Sequence, residues 1–393
     1  MDESADQHGT TDPGSSVSAG TRTASAATRG IEAPARTAYA LVGAGWRSSV
    51  YLRLAYLLPE RFEVTGVVTR TAEAGERLER DFGVPTYRSV EALLAARRPD
   101  FVVLSVPWPV TPELIRTLVA ADVPVLAETP PAPDLEGMRA LWSDVGSSSL
   151  VQVAEQYAWM PLHAARLALA REGVIGVPGS VQVSSTHLYH VVAMMRSFLG
   201  APIGPTTVDS RTFFAPLVDP ITPAGWTHDP APKRARTILS TIDFGDDRMG
   251  LYDFTDNQWW NPVRPDHLTV RGSIGEIHDE SVVRMIDDVT PVTSRIERTT
   301  TGIGMNYEGA ELAHLSFEGR VVFRNRFGGA PLMDDDLGTA ELLAATGAWT
   351  RGDGPAPYPL AEGLHDHHVG LAIEESAETG APVRTGDEPW ATS

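Results

Sequence analysis

Six residues, Gly43-Ala44-Gly45-Trp46-Arg47-Ser48, have the types and the spacing to hold a phosphate. They follow a short apolar run, Ala38 to Val42, and precede a stretch of helical spacing from about Ser48 to Leu58. In such a place the first glycine allows a tight turn and the second lets backbone approach a pyrophosphate. The N–H groups that open the helix then hold the negative charge. Ser48 stands where a third glycine is usual and is small enough for a helix to pack closely on a strand. Glycine pairs also occur in ordinary turns, and it is the strand-to-helix setting that points this pair toward a dinucleotide.

The end of the next apolar run, Val67-Val68-Thr69-Arg70-Thr71, bears on which dinucleotide. An acid there would bind the ribose 2′-hydroxyl of NAD, whereas a hydroxyl and a guanidinium suit the 2′-phosphate of NADP. The competing reading is a solvated Arg70 on a loop, and the expectation is NADP ahead of NAD. A second chemical group is Thr186-His187-Leu188-Tyr189-His190. Imidazole, with an ordinary pKa of about 6.5, suits general acid–base work near neutrality. From spacing alone, a histidine at a strand-to-helix junction reads rather as a cap or a packed residue.

His365-Asp366-His367-His368 puts histidines at helical spacing, but no second ligand set accompanies them. They are read as a solvated helical face, and no metal is expected. Trp259-Trp260 and Trp226 either stack on a sugar ring or fill a subunit interface, and the sequence leaves both open.

The elements that must position these groups alternate. Strands are expected at Phe62 to Thr69, Phe101 to Val106, Val123 to Ala127 and Leu150 to Ala154. Between them helices are expected at Ala72 to Phe82, on through Ala121, and at Leu135 to Val145. This is the rhythm of a parallel, doubly wound sheet covered on both faces. After about residue 155 the rhythm changes. Helices at Leu162 to Glu172 and Val191 to Leu199 flank a strand at Gly179 to Thr186. Strands follow at Thr237 to Phe244, Arg248 to Thr255, His267 to Arg271 and Glu276 to His278, with a hairpin strand at Phe317 to Phe323, then helices at Asp336 to Thr346 and Leu364 to Thr379. The fold class is therefore α/β: an N-terminal Rossmann domain over 37–154, then an α+β domain over 155–393 with a mostly antiparallel, open-faced sheet. Residues 1–36, poor in large apolar side chains, are read as a disordered tail.

Composition narrows the partners. The chain carries 32 Lys plus Arg against 51 Asp plus Glu, a net charge of −19. That balance disfavours nucleic acid and anionic membrane surfaces, both of which need clustered basic residues. With 0 cysteines, disulfides, thiol catalysis and Cys-ligated metal are excluded. No apolar run spans a bilayer and no signal peptide is visible, so the cytoplasm is the expected location.

From Thr37 onward the chain resembles the Gfo/Idh/MocA oxidoreductases. The resemblance rests on five ordered segments: the phosphate loop, Pro99 to Pro107, Val125 to Pro130, Val153 to Pro161, and Thr186 to Gly200. It implies a nicotinamide cofactor, with Ser105, Val106 and Pro107 beside the nicotinamide ribose. It places Glu128 and Thr129 in the family's E-K-P segment, Gln156 on the strand entering the second domain, and His190 on the catalytic histidine. A polyhydroxylated small-molecule substrate and a homodimer or homotetramer are implied as well. Three departures accompany it. The family lysine is Thr129, the aspartate four residues before the histidine is Thr186, and the acid three residues after it is Ala193. A threonine hydroxyl hydrogen-bonds but does not titrate near neutrality.

The expected function is hydride transfer between NAD(P) and a hydroxyl or carbonyl of a sugar, cyclitol or similar molecule. His190 is the acid/base, Thr129 orients the hydroxyl, and Tyr189, His187 and Tyr157 add hydrogen bonds. The alternatives are redox-neutral sugar elimination or glycoside cleavage on a tightly held cofactor, and a dinucleotide-binding sensor without catalysis, which the lost lysine and acids favour.

Overall fold

Thr37–Val42 (β1), Phe62–Val68 (β2), Thr86–Tyr87 (β3), Phe101–Leu104 (β4), Val125–Ala127 (β5) and Val151–Val153 (β6) form one parallel sheet in the order β3-β2-β1-β4-β5-β6. The computed structural model describes residues 35–222, 224–301 and 310–392. The tail read over 1–36 lies outside them, apart from Ala35 and Arg36. The central strands are near-continuously apolar because both faces are covered: all of β4 and β5 is buried, and Tyr39 stacks on Phe101 with ring centroids 5.7 Å apart. Strand order reverses between β1 and β4, and the ends of these strands open the crevice where doubly wound sheets bind ligands.

Helices Trp46–Leu57 (α1), Ala72–Phe82 (α2), Val90–Ala96 (α3), Thr111–Ala120 (α4) and Leu135–Val145 (α5) cover the sheet. Three of them start on side-chain caps: Thr71 accepts from the N–H of Ala74, Ser89 from Ala92 and Asp134 from Gly137. α1 starts differently. Its cap is Gly45, with no side-chain hydrogen bond and no acid in the first turn. The helix that should face an anion therefore keeps its first N–H groups uncommitted to side chains.

The second part begins with Pro161–Arg171 (α6), Pro178–Ser184 (β7) and Leu188–Leu199 (α7). Thr207–Leu217 (β8) follows, then a small hairpin of Ile221–Thr222 (β9) and Gly225–Trp226 (β10). The remaining strands are Lys233–Asp243 (β11), Met249–Thr255 (β12), His267–Gly272 (β13), Gly275–His278 (β14), Ser281–Met285 (β15), Pro291–Thr300 (β16), Leu312–Phe317 (β17), Arg320–Arg324 (β18) and Val383–Arg384 (β19). Eleven of these strands make a sheet in the order β18-β17-β16-β15-β14-β13-β7-β12-β11-β8-β19, antiparallel apart from the β12–β7 pair. α7 and the long helix Leu360–Thr379 (α9) pack on one face, and Asp334–Thr350 (α8) lies against β1.

The hairpin expected at Phe317 to Phe323 turns at Glu318 and Gly319, both with positive φ. The long β8 was missed because it alternates buried residues with exposed charged and hydroxyl ones, a surface pattern on the open side of a sheet. The close of the chain also returns to the first sheet. Leu360, Ala361, Leu364 and Trp390 join the core formed by β4, β5 and α5. Gly363 makes this possible, since a Cβ there would lie 2.6 Å from the Val153 side chain.

Candidate active site

The phosphate loop is shaped for close approach. Gly43 has φ 117°, and a Cβ on it would fall 2.0 Å from the Ser105 carbonyl oxygen, so the turn and the end of β4 require glycine. At Gly45 a Cβ would meet no protein atom within 4 Å. That side of the loop faces open space, as it must for backbone to approach a pyrophosphate. The Ser48 hydroxyl is buried without a protein partner, an orphan that a phosphate oxygen would satisfy. These residues fit a dinucleotide, with Gly45, Trp46 and Ser48 at the uncapped start of α1 as its holders.

Arg47 turns inward. Its Nε donates to Glu128 Oε1 at 2.8 Å, one Nη donates to Asp335 at 3.4 Å, and the other Nη is buried without a partner. Burial by itself would lower the guanidinium pKa, but the charges of Glu128, Tyr51 and Asp335 carry it well above its ordinary value. Tyr51 donates to the same Glu128 oxygen, and Gln156 Nε2 donates to Asp335 Oδ1 at 3.1 Å. Glu128, Arg47 and Gln156 are thus joined through Asp335, an acid in the first turn of α8 that the sequence reading did not single out. It is 179 positions from Gln156, and no local signal connects them.

Thr69 closes β2 with its hydroxyl donating to the Thr71 carbonyl at 3.0 Å. Arg70 beside it is exposed. A second guanidinium arrives unforeseen: Arg88 bonds the hydroxyl of Thr69 and, at 3.4 Å, the carbonyl of Ala72. It is delivered by the short β3, whose two residues gave no readable pattern. Ser105 follows β4, its N–H bonded to Val42, with Val106 part-exposed and Pro107 exposed beside it.

The groups expected to do acid–base chemistry come together where β5, β6 and α7 meet. His190 lies in the first turn of α7, and its Nδ1 is 2.6 Å from Glu155 Oε2. The other oxygen of Glu155 accepts the Tyr157 N–H at 3.1 Å, so the carboxylate is held at both ends. An ionised carboxylate only accepts, hence Nδ1 carries the proton and Nε2 is the free, basic nitrogen. Glu155 stands within a segment quoted for its resemblance, yet its role was not read there. The acid sought four residues before the histidine is Thr186, and the carboxylate comes instead from the end of β6.

Aromatic rings enclose the pair. Tyr157 lies 4.6 Å and Tyr189 4.5 Å from the His190 ring. Tyr189 borders the same small cavity as Thr129, and burial pushes its phenol well above the ordinary range. His187 packs against Trp259 at 4.8 Å and lies 5.6 Å from His190. Burial, then the neighbouring His190, lowers its pKa to about 3, so it is neutral near pH 7 and a poor base. Trp226, Trp259 and Trp260 are all exposed, and Trp259 flanks the site through its contact with His187.

Behind Glu155 and Thr129, a water-sized cavity is bordered by Tyr189, Tyr358 and Asp366. Asp366 receives Arg196 at 2.8 Å and the Tyr358 hydroxyl, and Arg196 also meets Glu362 at 2.7 Å. Burial raises Asp366 to about 6 despite Arg196. This overturns the solvated-face reading of 365–368. His365, Asp366, His367 and His368 are all buried. They lie on a helix wedged between α7, β6 and the chain end, so three histidines are stored neutral in the core: burial lowers His365 to about 3 and His367 to about 4. Composition alone does not distinguish a polar helix face turned to solvent from one covered by a neighbour.

The fold and the match of its nucleotide-binding part are those of an NAD-dependent oxidoreductase. Residues 37–155 match the Gfo/Idh/MocA family model, described as "Oxidoreductase family, NAD-binding Rossmann fold". Among curated proteins none matches by sequence. Solved structures share the whole architecture. A myo-inositol dehydrogenase from Corynebacterium glutamicum is 19% identical with a TM-score of 0.61, over 90% of this chain and 100% of the other. A levoglucosan dehydrogenase, in complex with NADH and levoglucosan, is 16% identical with a TM-score of 0.64, over 90% and 100%. An oxidoreductase from Agrobacterium radiobacter, in complex with NAD+, L-tartaric acid and magnesium, is 17% identical with a TM-score of 0.61, over 89% and 98%. At such identities the likeness is one of fold. Among the described residues no helix is long and apolar enough to cross a membrane.

Proposed function

We propose that the chain oxidises a hydroxyl, or reduces a carbonyl, of a polyhydroxylated small molecule, with His190 as acid/base and Glu155 as the residue that positions it. The observation that carries this reading is the His190–Glu155 bond of 2.6 Å in a buried setting. It fixes the tautomer and stabilises positive charge on the imidazole, two services a base needs and a packed histidine does not. When bound, the nicotinamide supplies a two-electron hydride acceptor or donor. On the protein side, the substrate hydroxyl proton passes to His190 Nε2 as the carbon loses its hydride, and the reverse holds for reduction. Thr129, in place of lysine, offers a hydrogen bond without charge, and Tyr189 lines the same small cavity. The cation missing at Thr129 has a counterpart in Arg47, which has one Nη still to spend.

The dyad also weighs against the sensor reading, since a site that has shed its chemistry has no need of a bonded, buried carboxylate–imidazole pair. For the cofactor, Arg70 with Arg88 at the end of β2 supports NADP ahead of NAD. For the substrate, the relatives' inositol, levoglucosan and tartaric acid support a sugar, cyclitol or hydroxy acid, with Trp259 as a flanking aromatic surface. Assembly into dimers or tetramers is supported by the open sheet face, where Phe213 and Leu239 are exposed beside a concavity of about 460 Å³.

A panel of such compounds, followed by nicotinamide absorbance with both cofactors, tests the proposal. Turnover of at least one, abolished in His190→Ala with dinucleotide affinity retained, is the expected result. Full turnover in that variant overturns the role of His190.

A further inference from the structure

Away from the dyad, three potential metal ligands meet on the β13–β14 hairpin. Thr269 of β13 pairs with His278 of β14. His267 precedes Thr269 by two positions and so lies on the same face of the sheet. The two imidazoles are close to parallel, at 11° with centroids 6.2 Å apart. Asp279 follows β14 with φ 50°, a turn that brings its carboxylate back to both rings. Its Oδ2 lies 3.0 Å from His267 Nδ1 and 3.7 Å from His278 Nε2. All three ligand atoms fall within 4.8 Å of one another.

The geometry points to a divalent transition-metal site, of the Zn²⁺ class, formed by His267, His278 and Asp279. Ligand bonds of about 2.0–2.1 Å at tetrahedral angles put neighbouring donor atoms roughly 3.3 Å apart, between the two distances observed. Two imidazole nitrogens and one carboxylate favour Zn²⁺ over Mg²⁺ or Ca²⁺, which prefer all-oxygen shells. The groups behind the ligands are those that orient them. The second nitrogen of His278 bonds the Thr269 hydroxyl at 2.8 Å, so Nε2 is the atom presented. Asp279 Oδ1 accepts the Leu268 N–H at 2.9 Å, leaving Oδ2 for the ion. Arg166 holds the Asp279 carbonyl at 2.9 Å and approaches Oδ1 at 3.8 Å, on the side away from the rings' shared oxygen. Both histidines are exposed, so an ion can enter and a fourth position stays open to water. The hairpin adjoins Asp266, whose charge reaches Tyr157 of the site above, so an ion here would staple the turn of two central strands on that side.

The test uses the full chain, stripped with chelator and titrated calorimetrically with ZnCl2 and, separately, MgCl2. One Zn²⁺ per chain, no comparable Mg²⁺ uptake, and at least about thirtyfold weaker Zn²⁺ binding in both His267→Ala and His278→Ala are expected. Zinc should also raise the melting temperature of the parent chain and not of either variant. Because these side chains lie outside the core, the zinc-free variants should melt with the zinc-free parent, which separates lost ligation from lost fold. No uptake by the parent chain, or uptake that either variant retains within about tenfold, overturns the assignment.

Discussion

Replacing Glu155 with glutamine isolates what the buried carboxylate does. The side chain keeps its size, and its amide oxygen can still accept the Tyr157 N–H that Glu155 takes at 3.1 Å. What changes is the partner of His190 Nδ1, now 2.6 Å from a full negative charge. A charge-assisted hydrogen bond is worth about 1.5–3 kcal/mol and a neutral one about 0.5–1.5 kcal/mol. As the imidazole takes up the substrate proton, the variant therefore forfeits about 1–2 kcal/mol of stabilisation of the cation. Loss of the enforced tautomer adds to this, for a total of about 2–3 kcal/mol, or roughly 30- to 150-fold in kcat. The effect should fall on kcat, because the ground state needs neither the charge nor the proton transfer. Steady-state rates in both directions, with dinucleotide affinity measured separately by calorimetry, read it directly. A kcat within about threefold of the parent refutes the reasoning, and so does a fall in cofactor affinity that matches the fall in kcat. In the second case the pair would only hold the fold.

Three further outcomes follow from other parts of the molecule. Gly45→Ala adds a methyl that meets no protein atom within 4 Å at an allowed φ of −79°; the melting temperature should hold while dinucleotide affinity falls about tenfold or more, and unchanged affinity would remove the loop from the cofactor site. Arg196→Met strands Asp366, which is buried and bonded to Arg196 at 2.8 Å; denaturant unfolding should show a loss of about 3–5 kcal/mol, partly restored by adding Asp366→Asn, and an additive double variant would deny the coupling. Stability should also fall with acidification. Burial lowers His163, His187 and His365 to about 3 and His367 to about 4. Between those values and their unfolded pKa, the unfolded chain binds more protons, so stability present near pH 7 drains away from about pH 6.5 downward. Asp366 and Asp266, both raised to about 6, work in the opposite sense. With the half-buried His163 and His187 discounted and both carboxyls subtracted, unfolding near pH 5 takes up about one proton net, a slope of about 1.4 kcal/mol per pH unit. Melting curves that are flat between pH 7 and pH 5 would contradict this.

Local order carried much of the molecule into the sequence. A parallel strand buried on both faces must be largely apolar, and a turn whose backbone closes on the end of a neighbouring strand needs glycine, as Gly43 does against Ser105. Hence β1, β4 and the turn from Gly43 to Ser48 could be read residue by residue, as could the alternation that makes the first sheet doubly wound. His190 and Thr129 could be placed only by their position in ordered motifs. Their partners are decided by tertiary structure. Glu155 reaches His190 across 35 positions, Asp335 joins Arg47 across 288, and Asp366 meets Arg196 across 170. A charged side chain looks the same in a sequence whether water or another residue neutralises it. Only packing decides which, and for that reason His365 to His368 read as a wet helix face although α9 is buried against the first sheet and α7.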